Sequence, residues 1–97
     1  MFRISYTDSA LADISTFRKN ERRTIFDTVD EQLIYQPDLI TRNRKKLRSN
    51  AIAEWDLRIQ DFRVLYDIYF DKQKVEVKVV GLKQGAKFLV RGKEFLL

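Results

Sequence analysis

The side chains of this sequence best placed to do chemistry are Arg58 and Arg63, which lie in alternating apolar–polar segments on either side of Gln60-Asp61. If Gln60 and Asp61 make a two-residue hairpin turn, position 59 faces 62, 58 faces 63 and 57 faces 64. Neither turn residue is glycine, so a longer or strained loop is the alternative. In the tight-turn register two guanidiniums stand directly opposite one another on one face. Like charges in that position repel and call for an anion between them. The anion is either internal, from Asp56 or Asp61, or an external phosphate gripped by bidentate arginine.

A second group of cations precedes these strands. Arg42, Arg44, Lys45, Lys46 and Arg48 fall within residues 41–50, a stretch with no acid and one apolar residue, Leu47. Such a run is either a solvated loop or helix end, or an arm that tracks phosphates. Its position just before the strand bearing Arg58 favours the second reading. The whole chain carries 19 Lys and Arg against 14 Asp and Glu, a formal charge of +5, which suits a polyanionic or acidic partner. Histidine and cysteine are both absent. Imidazole acid–base chemistry, histidine-dependent triads, thiolate metal sites and disulfides are therefore excluded. No glycine-rich phosphate loop precedes a helix, and no carboxylates stand at a recognisable metal spacing, so neither metal nor cofactor is expected.

The elements that must position these groups can be read from periodicity. The 97 residues suit one domain, 1–97. No apolar run is long enough to cross a membrane, and residues 1–6 carry no signal-peptide pattern. Phe2 to Tyr6 alternate as a short strand. Thr7, Asp8 and Ser9 offer N-cap oxygens to a helix whose apolar positions are Ala10, Leu11, Ile14 and Phe17. Asn20 is the expected C-cap of that helix. A second helix is expected from near Glu21, with Ile25, Phe26, Val29 and Leu33 on one stripe, ending before Pro37. The two read as an antiparallel hairpin.

From Ala53 onward the period is two. Segments 53–59, 62–70 and 75–80 read as a three-stranded antiparallel meander, with Gly81 ending the last strand. Trp55, Leu57, Val64, Tyr66, Val77 and Val79 are expected in the core with Ile14, Phe17, Val29 and Leu33. Leu65 and Tyr69 fall on the opposite, open face, where they are candidates for stacking on a base. Residues 85–97 divide evenly between a short added strand or hairpin and irregular coil.

The order strand, helix pair, Pro37-Asp38 turn, basic run ending in Leu47-Arg48, Trp55-Asp56-Leu57-Arg58, Asp61-Phe62-Arg63-Val64-Leu65-Tyr66-Asp67-Ile68 and Val79-Val80-Gly81 resembles the RelE/ParE superfamily of bacterial type II toxin–antitoxin toxins. The resemblance covers residues 1 to about 83. It implies an α+β fold with the helices on one face of the sheet, and a cytoplasmic toxin neutralised by a cognate antitoxin. In the RelE branch the toxin acts on the ribosome and cuts mRNA without a metal, the 2′-oxygen attacking the adjacent phosphate. Arg63 matches the family's central-strand arginine and Arg58 the arginine on the strand before it. Lys83 lies near the basic position after the last strand's glycine, and the basic run becomes the RNA contact. RelE itself has lysines where this chain has Glu54 and Asp56, and Glu54 is the candidate base by analogy with relatives that use a carboxylate. The C-terminal tyrosine or histidine that serves many members as acid is replaced here by Phe88 and Leu89. That departure keeps a second reading open: a non-nuclease ParE-like gyrase poison, or a degenerate toxin that only binds its antitoxin.

Overall fold

Side-chain alternation places the middle of the sheet first. The computed structural model describes all of residues 1–97. Strands β3 (Trp55–Ile59) and β4 (Phe62–Tyr69) pair antiparallel in the tight-turn register, with Leu57 facing Val64, Arg58 facing Arg63 and Ile59 facing Phe62. The turn closes because Gln60 adopts φ 55°, a left-handed conformation that glycine usually supplies. The complete order is β1 (Arg3–Tyr6), α1 (Asp8–Ser15), α2 (Lys19–Leu33), β2 (Arg44–Lys46), β3, β4, β5 (Lys74–Gln84), β6 (Lys87–Val90) and β7 (Lys93–Glu94). The antiparallel path runs β2-β3-β4-β5-β6-β7, and β1 pairs parallel with β5. This is an α+β fold, and the meander at its centre is extended at both ends. The added strands are the middle of the basic run, read above as loop or arm, and a C-terminal hairpin.

The helices begin and end for local reasons. Thr7 caps α1, its Oγ1 accepting from the Ala10 N–H at 3.0 Å. α1 stops earlier than expected, at Ser15, where the Ser15 and Thr16 hydroxyls donate to the carbonyls of Ala12 and Asp13. Phe17 then leaves the helix to meet Phe62 edge-on at 4.8 Å. Asn20 is not a C-cap; it lies in the first turn of α2. α2 starts two residues before Glu21 because that carboxylate reaches back to accept from the Arg18 N–H at 2.9 Å.

The core forms where the helices meet one face of the sheet. Ala10, Ile14, Ile25, Val29 and Leu33 pack against Trp55, Leu57, Ile59, Phe62, Val64, Tyr66, Val75, Val77 and Val80. Trp55 and Tyr66 stack across β3 and β4 at 6.1 Å. The Tyr66 hydroxyl donates to the Pro37 carbonyl at 2.7 Å. Burial pushes its phenol pKa up, against the downward pull of Arg44.

Val79 departs from the expected core. The β4–β5 register skips at Leu65/Tyr66, whose partners are Val79 and Val77, so Lys78 is an extra residue on β5. A one-residue bulge flips the side chains beyond it to the other face. Val80 therefore takes the core position, and Val79 joins Leu65 and Ala53 in a second small cluster on the opposite face. Leu47, Ile52, Phe88, Val90 and Phe95 pack against that cluster. Leu65 is thus buried rather than available for stacking. Part of the face expected to lie open is covered by the 47–53 segment and the C-terminal hairpin. Gly81 does not end β5 either; the strand continues through it to Gln84. A Cβ there would lie 2.5 Å from the Phe88 ring and 2.6 Å from the Leu89 carbonyl oxygen.

Two outcomes follow for stability. Gly81→Ala forces β6 away from β5 and should cost about 1–3 kcal/mol in a urea melt. Gln60→Gly relieves the left-handed turn residue and should raise stability by about 1 kcal/mol in the same measurement.

A cationic cleft around a buried carboxylate

The cleft follows from the open-face side chains of three adjacent strands. Lys45 on β2 pairs in register with Asp56 on β3, and Arg58 on β3 with Arg63 on β4. A pocket of about 130 Å³ opens among them, lined by Arg42, Asn43, Arg44, Lys45, Asp56, Arg58 and Arg63 and by no apolar side chain. A second pocket of about 180 Å³ shares Lys45, Asp56 and Arg63 with the first and adds Leu47, Leu65, Lys83, Phe88 and Leu97. Asp56 therefore sits between the two recesses, with cations on every side.

The Asp56 carboxylate is the least comfortable group in the site. Its side chain is 10% exposed, and Arg63 Nε lies 3.8 Å from Oδ2 with a side chain 14% exposed. That separation is an ion pair without a close hydrogen bond. Oδ1 is buried with no partner. Burial raises the Asp56 pKa above the ordinary carboxylate value, and Arg63, Lys45, Lys83 and Arg58, in that order, pull it back down. The net shift is upward, so loss of water outweighs four neighbouring charges.

The sequence-derived residues are distributed unevenly around this point. Arg58 is exposed and its side chain makes no hydrogen bond or ion pair, so the internal partner expected for it goes to Arg63 instead. Lys83, on β5, reaches the second recess. Glu54, the candidate base, stays outside: it is exposed, lines neither recess, and pairs with Lys46 at 3.8 Å. Its N–H donates to the Asp67 carboxylate at 2.7 Å, and Asp67 in turn pairs with Lys78 at 3.6 Å. Tyr69 sits by Lys72 and Lys74, away from the cleft, and its hydroxyl meets Glu76 at 3.5 Å.

The basic run is split by the period of its strand. Arg44 is buried, its guanidinium donating to the Gln36 carbonyl while Nε has no partner. Lys46 is held by Glu54. Arg42 and Lys45 face the first recess, and Arg48 lines a wider groove with Ser49 and Asn50. The carboxylate that lines both recesses is Asp56, read from the sequence only as a counter-ion. The available signal was its parity with Arg58, which puts both on one face. What hid its burial was the edge strand β2, whose Lys45 pairs with it in register. No three acidic side chains come together as a metal site would require, and no helix is long and apolar enough to cross a membrane.

Two helices on one face of a mainly antiparallel sheet make the α+β fold also seen in solved RelE toxin structures. A chain of the RelBE2 toxin–antitoxin complex from Mycobacterium tuberculosis superposes with a TM-score of 0.74 at 20% identity, covering 84% of this chain and 91% of that one. The archaeal RelE–RelB complex from Pyrococcus horikoshii gives 0.71 at 17% identity, over 88% of this chain and 98% of its own. The isolated RelE toxin of E. coli gives 0.70 at 19% identity, over 89% and 88%. No protein-family sequence profile matches the chain, and no curated protein sequence matches it.

The raised pKa of Asp56 has a testable sign. Between the ordinary carboxylate pKa and the raised one, the folded chain holds a proton that the unfolded chain releases. This group's contribution to stability therefore falls as pH rises through that interval and is flat above it. Unfolding free energies measured from pH 3 to 7 should show wild type losing ground to Asp56→Asn across the interval. An unchanged difference would mean that Asp56 titrates normally.

Proposed function

We propose that this protein is the toxin of a type II toxin–antitoxin module and cuts ribosome-bound mRNA at the Asp56 cleft. The observation that carries the reading is a buried carboxylate, short of hydrogen-bond donors, set among Lys45, Arg58, Arg63 and Lys83. A carboxylate with a raised pKa is a better base than a solvated one, and cations around it draw in a phosphodiester. In the proposed step Asp56 takes the proton from the 2′-hydroxyl. The 2′-oxygen bonds to phosphorus, and the bond to the 5′-oxygen breaks. A lysine ammonium, Lys83 or Lys45, gives the leaving oxygen its proton, so the products are a 2′,3′-cyclic phosphate and a 5′-hydroxyl. Charge rises on the phosphoryl oxygens in the transition state, where Arg58 and Arg63 donate hydrogen bonds.

The roles follow from how each side chain is held. Arg63 is tied to Asp56 and orients it as well as binding phosphate. Arg58 is free to close on the RNA. Arg42, Lys45 and Arg48 supply the sequence-independent attraction to the backbone and to ribosomal RNA. Arg44, Lys46 and Glu54 support the edge strand rather than the reaction. In the neighbouring RelBE structures a toxin is paired with its antitoxin, and this chain is proposed to have a cognate antitoxin whose acidic residues cover the same cations.

The test is cleavage of mRNA on purified ribosomes. Arg58→Ala should lose about 10²–10³ in rate with an unchanged melting temperature, because the Arg58 side chain holds nothing in the free protein. Asp56→Asn should lose about 10²–10⁴. A 2′-deoxy nucleotide at the scissile position should block cleavage by wild type. Full cleavage by Asp56→Asn would remove Asp56 as base. Absence of cleavage by wild type, with antitoxin binding intact, would favour a toxin that acts by binding alone.

A further inference from the structure

The outer edge of β5 is shared by two strands that do not meet. β1 pairs with residues 74–77 and β6 with residues 82–84, which leaves 78–81 without a strand neighbour on that side. α1 and its cap fill the gap. Thr7 donates to Val77 through its N–H at 3.0 Å and to the Lys78 carbonyl through Oγ1 at 3.3 Å. The Asp13 carboxylate, 1% exposed, accepts from the Val80 N–H at 3.1 Å through Oδ2. Its other oxygen accepts from Arg91 Nε at 2.7 Å, and Arg91 Nη2 reaches the Ser9 hydroxyl at 3.2 Å.

Arg91 begins the Arg91-Gly92 turn of the β6–β7 hairpin, at φ 52°. A left-handed arginine is unfavourable by itself and persists where surrounding contacts over-determine it. The hairpin it anchors is a wall of the cleft. Phe88 on β6 pairs in register with Lys83, sits against Gly81, and lines the same recess as Asp56, Arg63 and Lys83. Little else holds the hairpin to the body: three residue pairs to β5 and the packing of Phe88, Val90 and Phe95 on the second cluster.

We propose that Asp13 and Arg91 are positioning residues for the cleft on the far side of the sheet. One buried carboxylate ties the bulged strand at Val80 and the C-terminal hairpin at Arg91 to α1, and so fixes the Lys83–Phe88 wall against Asp56. A charge-assisted hydrogen bond from a half-exposed arginine to a buried carboxylate suits this role because it is strong and directional. The role of the wall in catalysis rests on the RNA-cleaving reading above; the latch itself does not.

The test compares wild type, Arg91→Met and Arg91→Lys, with Asp13→Asn as a second disruption that keeps an acceptor for Val80. Arg91→Met should lower the melting temperature, because it leaves the buried Asp13 carboxylate without its cation, while amide hydrogen exchange at Leu89 and Phe95 accelerates about ten- to a hundredfold relative to that at Val64. Inorganic phosphate titrated against the protein should still shift the resonances of Arg58 but no longer those of Lys83. On ribosomes, kcat should fall with KM unchanged, and Arg91→Lys should recover part of both effects. Unchanged exchange in Arg91→Met overturns the latch. Faster exchange with an unaltered Lys83 response overturns its link to the cleft. Failure of phosphate to shift Arg58 or Arg63 in wild type would instead count against the phosphate reading, since the exchange rates judge the latch independently.

Discussion

The parity set by one tight turn controls the chemistry of this fold. A strand shows alternate residues to opposite faces, so a one-residue slip of β3 would send Arg58 to the core and Leu57 to solvent. The Gln60–Asp61 turn prevents this by accepting a left-handed glutamine. Its Asp61 carbonyl also accepts from the Lys83 N–H at 2.8 Å, which links the turn to the strand carrying the third cation. Local strain at the turn thus fixes which side chains can meet at the cleft.

Within that frame, the placement of Asp56 is a compromise between burial and charge. A carboxylate removed from water disfavours its ionised form, while cations around it favour that form. Here the nearest cation stands at ion-pair rather than hydrogen-bond distance, and one carboxylate oxygen has no partner. The site is therefore electrostatically complementary to a group that brings both negative charge and a hydroxyl to donate. A surface arginine pair with a solvated aspartate would have no such preference, because water would satisfy each group separately.

Two small backbone features build the other side of the cleft. The bulge at Lys78 turns Val79 outward to join Leu65, giving the open face an apolar footing. Gly81 leaves room for the Phe88 ring against β5. Together they let a short C-terminal hairpin settle on a face that would otherwise be fully polar. Val90 and Phe95 anchor it from one side, and the Asp13–Arg91 pair from the other.

The sequence by itself determined the elements with strong periodicity: the first strand, two helices, and the pairing of β3 with β4 down to the opposition of Arg58 and Arg63. These rest on local rules, the 3.6- and 2-residue repeats and the shortness of one turn. It also marked Arg58, Arg63 and Lys83 as companions through a recognisable order of residues. It did not show that residues 44–46 form a strand, because an edge strand rich in cations has the composition of a loop and gains its regularity only from β3. It did not show the bulge, since Val77, Val79 and Val80 are interchangeable in pattern and only the Leu65/Tyr66 register decides which two face the helices. For the same reason Glu54 and Asp56 looked alike. Tertiary structure separated them: β2 gives Glu54 a lysine at the sheet's rim and takes water from Asp56, and desolvation is a property of neighbours distant in sequence.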